Sequence, residues 1–212
     1  MEKSKEIIIT VQNLIRDNQK DGKVIAELDD GTKIRISTSQ VADFNIFVGR
    51  ELSSDELSEL FDAVGASKSK AQAIRILGNR RFSASEIKKR LIKKGDNEEI
   101  AEQTVIWLEE IGLVNDYEYA NLLVKHYITK SYGIARIRDE FFKRGIPREI
   151  WDEVLESIDE EEVQDSITSL LRKKLGTDFD RLDIKRAQDA LIRRGYTYEQ
   201  VNSAINIYTE NL

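Results

Sequence analysis

The sequence RLIKKG at residues 90–95 recurs as EFFKRG at residues 140–145 and as ALIRRG at residues 190–195. Each copy ends in two large apolar residues, two cations and a glycine, and the glycines are 50 residues apart. A glutamate follows each glycine by four residues, and an apolar residue follows it by ten. Glycine ends a helix at little cost in the left-handed conformation, and cations in a last turn favour the helix dipole. The pattern therefore predicts three copies of one helical unit, each containing a helix that ends at the glycine.

Start signals divide these copies into further helices. Capping boxes, in which a Ser or Thr and an acid or amide three residues on exchange hydrogen bonds with the backbone, are predicted at residues 53–56, 83–86 and 197–200. Asp116 is predicted to cap the first helix of the second copy, and Pro147 stands where a helix begins, since its missing N–H costs nothing there. Each copy is thus predicted to contain three helices.

The N-terminal segment carries a β pattern instead. Residues 6–15 are rich in Ile, Thr and Val, and residues 23–28 and 33–37 alternate apolar and polar side chains. The sequence DDG at residues 29–31 between the last two predicts a hairpin turn. A small sheet is marginal alone in water, so we expect it to pack on the helices or on a partner.

We therefore predict a mainly α protein in which an elongated array of three tandem three-helix repeats follows a small N-terminal antiparallel β module. A helix that opens at Ser53 is expected to end near Gly65, and a second, from about Lys68 to Leu77, is expected to be the first helix of repeat one. The predicted boundaries are 1–50 for the β module, 51–66 for a connecting helix, and 67–115, 116–159 and 160–212 for the repeats.

Composition narrows the class of protein. The 212 residues are 40% hydrophobic and 34% charged, contain no cysteine, and include no apolar run of about 18 residues. The chain is long enough to bury a core, and disulfides and thiol chemistry are excluded. We expect a cytoplasmic monomer without a membrane segment.

Charge alternates along the chain in phase with the repeat, although the net charge is −6. Residues 80–94 hold seven cations and one acid, residues 96–110 hold six acids and no cation, and residues 149–165 hold nine acids and no cation. One interpretation is a functional basic surface; the other is a solvated face with ordinary cations at helix C-termini. The charge pattern leaves both open.

Sequence signals for catalysis are missing. The single histidine, His126, has no cysteine partner, and no glycine-rich phosphate loop or serine nucleophile motif occurs. We predict no catalytic activity, no cofactor and no metal site. The aromatic residues at apolar helical positions are predicted to be core: Trp107, Phe141, Phe142 and Trp151. Tyr132, beside the helix-breaking Gly133, is predicted to be an exposed aromatic.

From about residue 73 to residue 208 the chain resembles the RecX family of bacterial recombinase regulators. The family pattern starts with an arginine, Ser-x-x-Glu-Leu, an apolar residue and Lys-Gly; its equivalents here are Arg80, residues 83–87 (SASEI, with Ile for Leu), Leu91 and Lys94-Gly95. The family then has an aspartate shortly before Phe-Ala. Next come a glycine, an isoleucine, an apolar residue and Lys-Gly-Ile, and finally the end of the last repeat. Their equivalents are residues 115–120 (NDYEYA, with Tyr for Phe), Gly133, Ile137, Phe141, residues 143–146 (KRGI) and residues 191–196 (LIRRGY).

The resemblance implies a curved, all-helical stack that binds the RecA recombinase filament. It implies inhibition of the ATPase and strand-exchange activities of RecA, and hence regulation of DNA repair and recombination, with the protein lodged in the filament groove. Some members also bind DNA, so single- or double-stranded DNA, contacted through its backbone, is a further expected partner. The residues expected to contact recombinase or DNA, here called the basic set, are Arg80, Arg81, Lys88, Lys89, Lys93, Lys94, Arg136, Arg138, Lys143, Arg144, Arg186, Arg193 and Arg194.

Two alternatives stay open. The helix pairs could act as tandem helix-turn-helix units of a nucleic-acid-binding module, which would give sequence-dependent duplex binding with a steep salt dependence. The chain could also be an interaction scaffold whose β module is the active part, in which case deletion of residues 1–50 would abolish partner binding while the repeats stay helical.

Overall fold

A computed structural model describes residues 8–78, 80–176 and 178–210. The protein is mostly helical, with a small antiparallel sheet near its N-terminus, as predicted. The chain divides into two compact units. Of the described residues, the first unit contains 8–78 and 90–106, and the second contains 80–89 and the rest from 107 to 210.

The sheet has four antiparallel strands in the order β3-β2-β1-β4. Its strands are β1 (Ile8–Arg16), β2 (Lys23–Leu28), β3 (Lys33–Ser37) and β4 (Glu51–Ser53), with a short helix α1 (Thr38–Asp43) before β4. The predicted second and third strands are confirmed, and the predicted first strand is confirmed from Ile8, since residues 6 and 7 lie outside the described residues. On β3 the alternation is clear, because Ile34 and Ile36 are buried while Lys33 and Arg35 are exposed.

Helix α2 (Ser54–Leu77) is one continuous helix of 24 residues. Its capping box joins Ser53 and Glu56 as predicted. The prediction that this helix ends near Gly65 is wrong. Gly65 lies mid-helix, where an added Cβ would stand 2.8 Å from Cδ1 of Ile100, so the glycine serves close packing and does not end the helix.

Eight further helices are seen in the described residues, and one of them follows a 3₁₀ turn at Arg148–Ile150. They are α3 (Ala84–Lys93), α4 (Glu98–Glu110), α5 (Asp116–Thr129), α6 (Ile134–Arg144), α7 (Trp151–Glu156), α8 (Glu160–Leu175), α9 (Arg181–Arg193) and α10 (Tyr198–Glu210). Helices α5, α6 and α7 pack on one another, and so do α8, α9 and α10. The predicted capping boxes at residues 83–86 and 197–200 are confirmed. The domain boundaries and the elongated, curved arrangement stay predictions.

Each unit has its own hydrophobic core. In the first unit, side chains of the sheet pack with Leu60 of α2. In the second, the core runs from Tyr119 of α5 to Ile205 of α10 and includes Phe141 and Leu191. No helix among the described residues combines the length and the apolar composition that crossing a membrane requires.

Candidate partner-binding surface

The three helix ends that define the repeat share one backbone geometry. Gly95, Gly145 and Gly195 have φ values of 103°, 65° and 93°. Each glycine N–H donates to the carbonyl three residues before it, at 3.0, 3.1 and 2.9 Å, and the next residue donates to the carbonyl five before it, at 3.2, 3.0 and 3.3 Å. This is the Schellman pattern, which confirms the predicted glycine caps.

The shared geometry places the two apolar residues of each copy in opposite environments. The first of each pair has 0% exposure; these residues are Leu91, Phe141 and Leu191. The second is exposed: Ile92 by 41%, Phe142 by 68% and Ile192 by 39%. The prediction that Phe142 belongs to the core is therefore wrong, because successive helical residues point about 100° apart and only one of the two can face inward.

The other aromatic residues named from the sequence are inside or half-buried. Phe141 is enclosed, and the ring of Trp151 packs edge-on against it with 5.7 Å between centroids. The indole N–H of Trp151 donates to the carbonyl of Ile146 at 3.0 Å, so this side chain has its polar partner as well. Trp107 is half-buried. The predicted core role is thus confirmed for Phe141 and for the packed ring of Trp151.

The C-terminus of α6 docks on the N-terminus of α3, and the C-terminus of α9 docks on the N-terminus of α6. The Ser83 hydroxyl donates to the carbonyl of Arg144. The Gly133 N–H donates to the carbonyl of Arg194 at 2.9 Å, and the Ala135 N–H donates to that of Gly195 at 3.1 Å. At the α9–α6 junction, carbonyls at the end of one helix thus accept from amides at the start of another, whereas at the α6–α3 junction the donor is a side-chain hydroxyl. In both, the negative end of one helix dipole meets the positive end of another.

Arg144 is held inside this docking contact. Its Nη1 donates to the Tyr119 hydroxyl at 2.6 Å, and its guanidinium lies 3.6 Å from the Glu86 carboxylate and 3.5 Å from that of Glu140. Burial acts to lower the pKa of Arg144, but Tyr119, Glu86 and Glu140 outweigh it, so the pKa is raised. Burial, and then Glu86, raises the pKa of the Tyr119 hydroxyl. Arg144 therefore stays charged and fixed.

Arg194 has the equivalent role one copy later. Its Nη1 donates to the carbonyls of Lys130 and Ser131, both at 3.1 Å, and its guanidinium lies 5.2 Å from the ring centre of Tyr132. The prediction that Tyr132 is an exposed aromatic is wrong, because this half-buried ring is covered by Arg194. Arg144 and Arg194 are thus engaged within the chain.

Other members of the basic set lie at the surface. Arg80, Lys89, Lys93, Lys94 and Arg193 are exposed, and Lys88 is half-buried. Five more members form ion pairs. Arg81 lies 3.2 Å from Glu118, Arg136 3.6 Å from Glu140, Arg138 3.7 Å from Asp152, and Arg186 3.2 Å from Asp183. Lys143 lies 3.4 Å from Glu140. Arg81, Arg138 and Arg186 pair with exposed acids, and such pairs contribute at most about 1 kcal/mol, so these three cations stay available to a partner.

Glu140, which the sequence did not single out, gathers three of these cations. It is 9% exposed and lies within 3.6 Å of Arg136, Lys143 and Arg144. A buried carboxylate needs such compensation. Three of the four cations of α6 are therefore held in place by one acid on the same helix, and the fourth, Arg138, pairs with Asp152.

Asp116 caps a different helix from the one predicted. Its Oδ1 accepts from the Ala84 N–H at 2.9 Å, at the start of α3, whereas α5 is capped by Asn115. Burial raises the pKa of Asp116 above its ordinary value and Glu86 raises it further, against the opposing effect of the Ala84 hydrogen bond. The expected cap of α5 by Asp116 is thus wrong, because the side chain turns toward the free amide of α3.

We predict that Asp116→Asn preserves stability at neutral pH, because asparagine keeps the acceptor and loses the buried charge. Since the folded-state pKa of Asp116 is raised, the folded protein binds the proton more tightly, and wild type should lose stability relative to the variant as pH rises through that pKa. Asp116→Ala, which lacks the acceptor, should be less stable than Asp116→Asn by about 1 kcal/mol. Urea unfolding of all three proteins between acidic and neutral pH measures these free energies of unfolding. A wild type that becomes more stable relative to Asp116→Asn as the pH rises would contradict the prediction.

The three helix ends carry the same kind of exposed side chains. Among the residues that the structure describes, no group of three or more His, Asp or Glu side chains could hold a metal ion. Each helix end presents an exposed aliphatic or aromatic side chain directly followed by a cation: Ile92-Lys93, Phe142-Lys143 and Ile192-Arg193. We call these three pairs the apolar-basic pairs. Exposed apolar groups beside cations suit a protein surface that carries apolar pockets and acids.

Comparison with known proteins places the chain in a family. Residues 115–155 match the family model described as RecX, second three-helix domain. The regulatory protein RecX of Caldanaerobacter subterraneus subsp. tengcongensis is 29% identical over 75% of this chain and 80% of its own length. That of Clostridium acetobutylicum is 25% identical over 95% of this chain and 98% of its own length. A crystal structure of regulatory protein RecX shares the fold, with a TM-score of 0.74 and 20% identity over 93% of this chain and 99% of that one. Together with the motifs and the three equivalent helix ends, these matches show that the chain belongs to the RecX family of regulatory proteins.

Proposed function

We propose that this protein binds the filament of the RecA recombinase and inhibits its ATPase and strand-exchange activities, thereby regulating DNA repair and recombination. Membership in a family of regulatory proteins supports a regulatory role. The RecA partner comes from the resemblance to that family. The observation on this chain that carries the proposal is the exposed Phe142 beside Lys143 and its counterparts at the other two helix ends.

The apolar-basic pairs have the composition of a protein-binding surface. Phe142 is 68% exposed, although burying a phenylalanine side chain contributes about 1.5–3 kcal/mol. Binding energy at protein interfaces concentrates in a few aromatic and arginine side chains. Three equivalent pairs at a regular sequence interval also suit a partner that presents the same surface repeatedly, as the subunits of a filament do.

The exposed members of the basic set have a second role in this proposal. Arg80, Lys89, Lys93, Lys94, Lys143 and Arg193 would contact acidic surface of the recombinase or phosphates of the DNA in the filament. The alternative of tandem helix pairs as a nucleic-acid-binding module stays a prediction. Duplex binding by the protein alone, with a sequence preference, would favour it.

Inhibition of the single-strand-DNA-dependent ATPase of purified RecA tests the proposal. Wild-type protein should inhibit in a saturable manner. Phe142→Ala should weaken inhibition about tenfold, which corresponds to about 1.4 kcal/mol of lost binding.

The matched control is Leu182→Ala, at the start of α9, because Leu182 is 54% exposed and lies outside the three helix ends. It should inhibit as wild type does. Absence of inhibition by wild-type protein refutes the proposed function, and equal inhibition by wild type and Phe142→Ala refutes the role of the apolar-basic pairs.

A further inference from the structure

A cleft in the first unit, between the sheet and α2, is the second charged feature of the protein. Its volume is about 830 Å³, and residues from β2, β3, the turn before β2, α1 and α2 line it. Six of the nine Lys and Arg residues at positions 8–78 line the cleft, but only one of the eleven Asp and Glu residues there does so. The first unit thus gathers cations at one place although residues 8–78 are acidic overall.

Four of these six cations have no acidic partner in the part of the chain that the structure describes. Lys33 lies 2.5 Å from Glu27 and Arg35 lies 2.6 Å from Asp17, so these two are neutralised in place. The other four are Lys20, Lys23, Lys68 and Arg75, and Asp21 is the only acid among the described residues that line the cleft. Clustered cations without partners repel one another and therefore favour an anionic ligand.

Two further side chains of the cleft could contact a ligand by stacking and by hydrogen bonding. Phe61 of α2 lines the cleft and is 44% exposed, so its ring face is accessible. Gln72, also in the lining, has a buried side-chain nitrogen with no hydrogen-bond partner among the described residues. An acceptor oxygen from a ligand would satisfy that donor, whose desolvation otherwise costs about 1–3 kcal/mol.

We propose that this cleft binds single-stranded nucleic acid, with phosphates at Lys20, Lys23, Lys68 and Arg75 and a base stacked on Phe61. A basic groove with an exposed aromatic ring is the combination by which proteins hold single strands without sequence preference. A concave site admits one strand more readily than the flat acidic face of a folded protein. In this proposal the cleft between the β module and α2 binds nucleic acid, and this binding does not depend on the proposed binding of recombinase by the helix ends.

Fluorescence anisotropy of a labelled oligo(dT) of about 16 nucleotides, the upper end of the site size of such grooves, tests the proposal on the full chain without recombinase. Lys68→Gln with Arg75→Gln should weaken binding about tenfold and reduce the slope of log affinity against log salt by up to about 1.4, since each phosphate contact on a single strand contributes about 0.7. Phe61→Ala should weaken binding about tenfold and leave that slope unchanged.

The matched control is Lys173→Gln with Lys174→Gln, which removes the same charge from the last turn of α8 in the second unit. It should bind as wild type does. No binding of oligo(dT), an equal loss in the control, or displacement by polyglutamate as effective as by unlabelled oligo(dT) overturns the proposal, the last in favour of an acidic protein ligand. Because the assay contains no recombinase, its failure leaves the proposed inhibition of RecA untouched.

Discussion

Replacing Gly195 by alanine is expected to destabilise the second unit by about 3 kcal/mol. A Cβ at this position would lie 2.5 Å from the backbone nitrogen of Arg136 and 2.8 Å from its Cβ, and φ is 93°. The left-handed conformation costs a residue with a Cβ about 1–2 kcal/mol, and overpacking against backbone adds about 1–3 kcal/mol. The neighbouring backbone cannot move aside without breaking the hydrogen bonds that join α9 to α6. Urea unfolding followed by circular dichroism measures the loss.

Gly95→Ala is the matched control, because Gly95 has the same cap geometry and a φ of 103° but nothing within 4 Å of an added Cβ. It should lose only the cost of the conformation, about 1 kcal/mol. The difference between the losses of unfolding free energy in Gly195→Ala and Gly95→Ala therefore measures the cost of the clash where α9 docks on α6. Equal losses would mean that the C-terminus of α9 does not rest on α6 in solution.

The local part of this architecture could be read from the sequence. The 50-residue period correctly places a glycine cap at the end of α3, α6 and α9, because apolar periodicity and glycine caps act within a few residues of one another. Residues at equivalent positions of the repeat are also buried to the same extent, since Val105, Leu155 and Ile205 are 5%, 6% and 7% exposed. Gly65 shows where such reading fails: a glycine in a helix can stop it or admit a neighbour, and only the distant Ile100 distinguishes the two.

The candidate site was less predictable, because its contacts join residues far apart in the chain. Asp116 looked like a cap for its own helix, yet the amide that it accepts from is 32 residues away. Phe142 follows the same apolar pattern as Phe141, and helical geometry alone does not say which of two adjacent residues faces inward. For the cations a signal was present: the residue before the glycine is Arg at the two docked ends and Lys at the end where nothing lies against the glycine. A planar guanidinium can hold several partners at once, and an ammonium cannot do so as well.

Adjacent cations at one helix end therefore have different roles, and their substitution by glutamate should separate these roles. Arg144→Glu is expected to destabilise the second unit by about 2–3 kcal/mol, less than for a fully buried pair because the arginine side chain is 31% exposed. It removes the hydrogen bond to Tyr119 and sets a third carboxylate beside Glu86 and Glu140. Lys143→Glu makes the same charge change at a side chain that is 57% exposed and, among the described residues, pairs only with Glu140, which keeps Arg136 and Arg144. It should therefore destabilise the unit less, by about 1 kcal/mol.

Inhibition of RecA should show the reverse order: Lys143→Glu should lose more inhibition than Arg144→Glu, although it is the more stable variant. At a temperature where both are folded, Lys143→Glu should lose several-fold in inhibition, because reversing an exposed interface charge mainly slows association. Arg144→Glu should inhibit more nearly as wild type does once it is folded, since its partners lie within the chain. Unfolding curves measured beside ATPase inhibition therefore distinguish a cation that holds α6 on α3 from one that faces the filament. Equal stability of the two variants would contradict the structural role assigned to Arg144, and unchanged inhibition by Lys143→Glu would contradict the contact role assigned to Lys143.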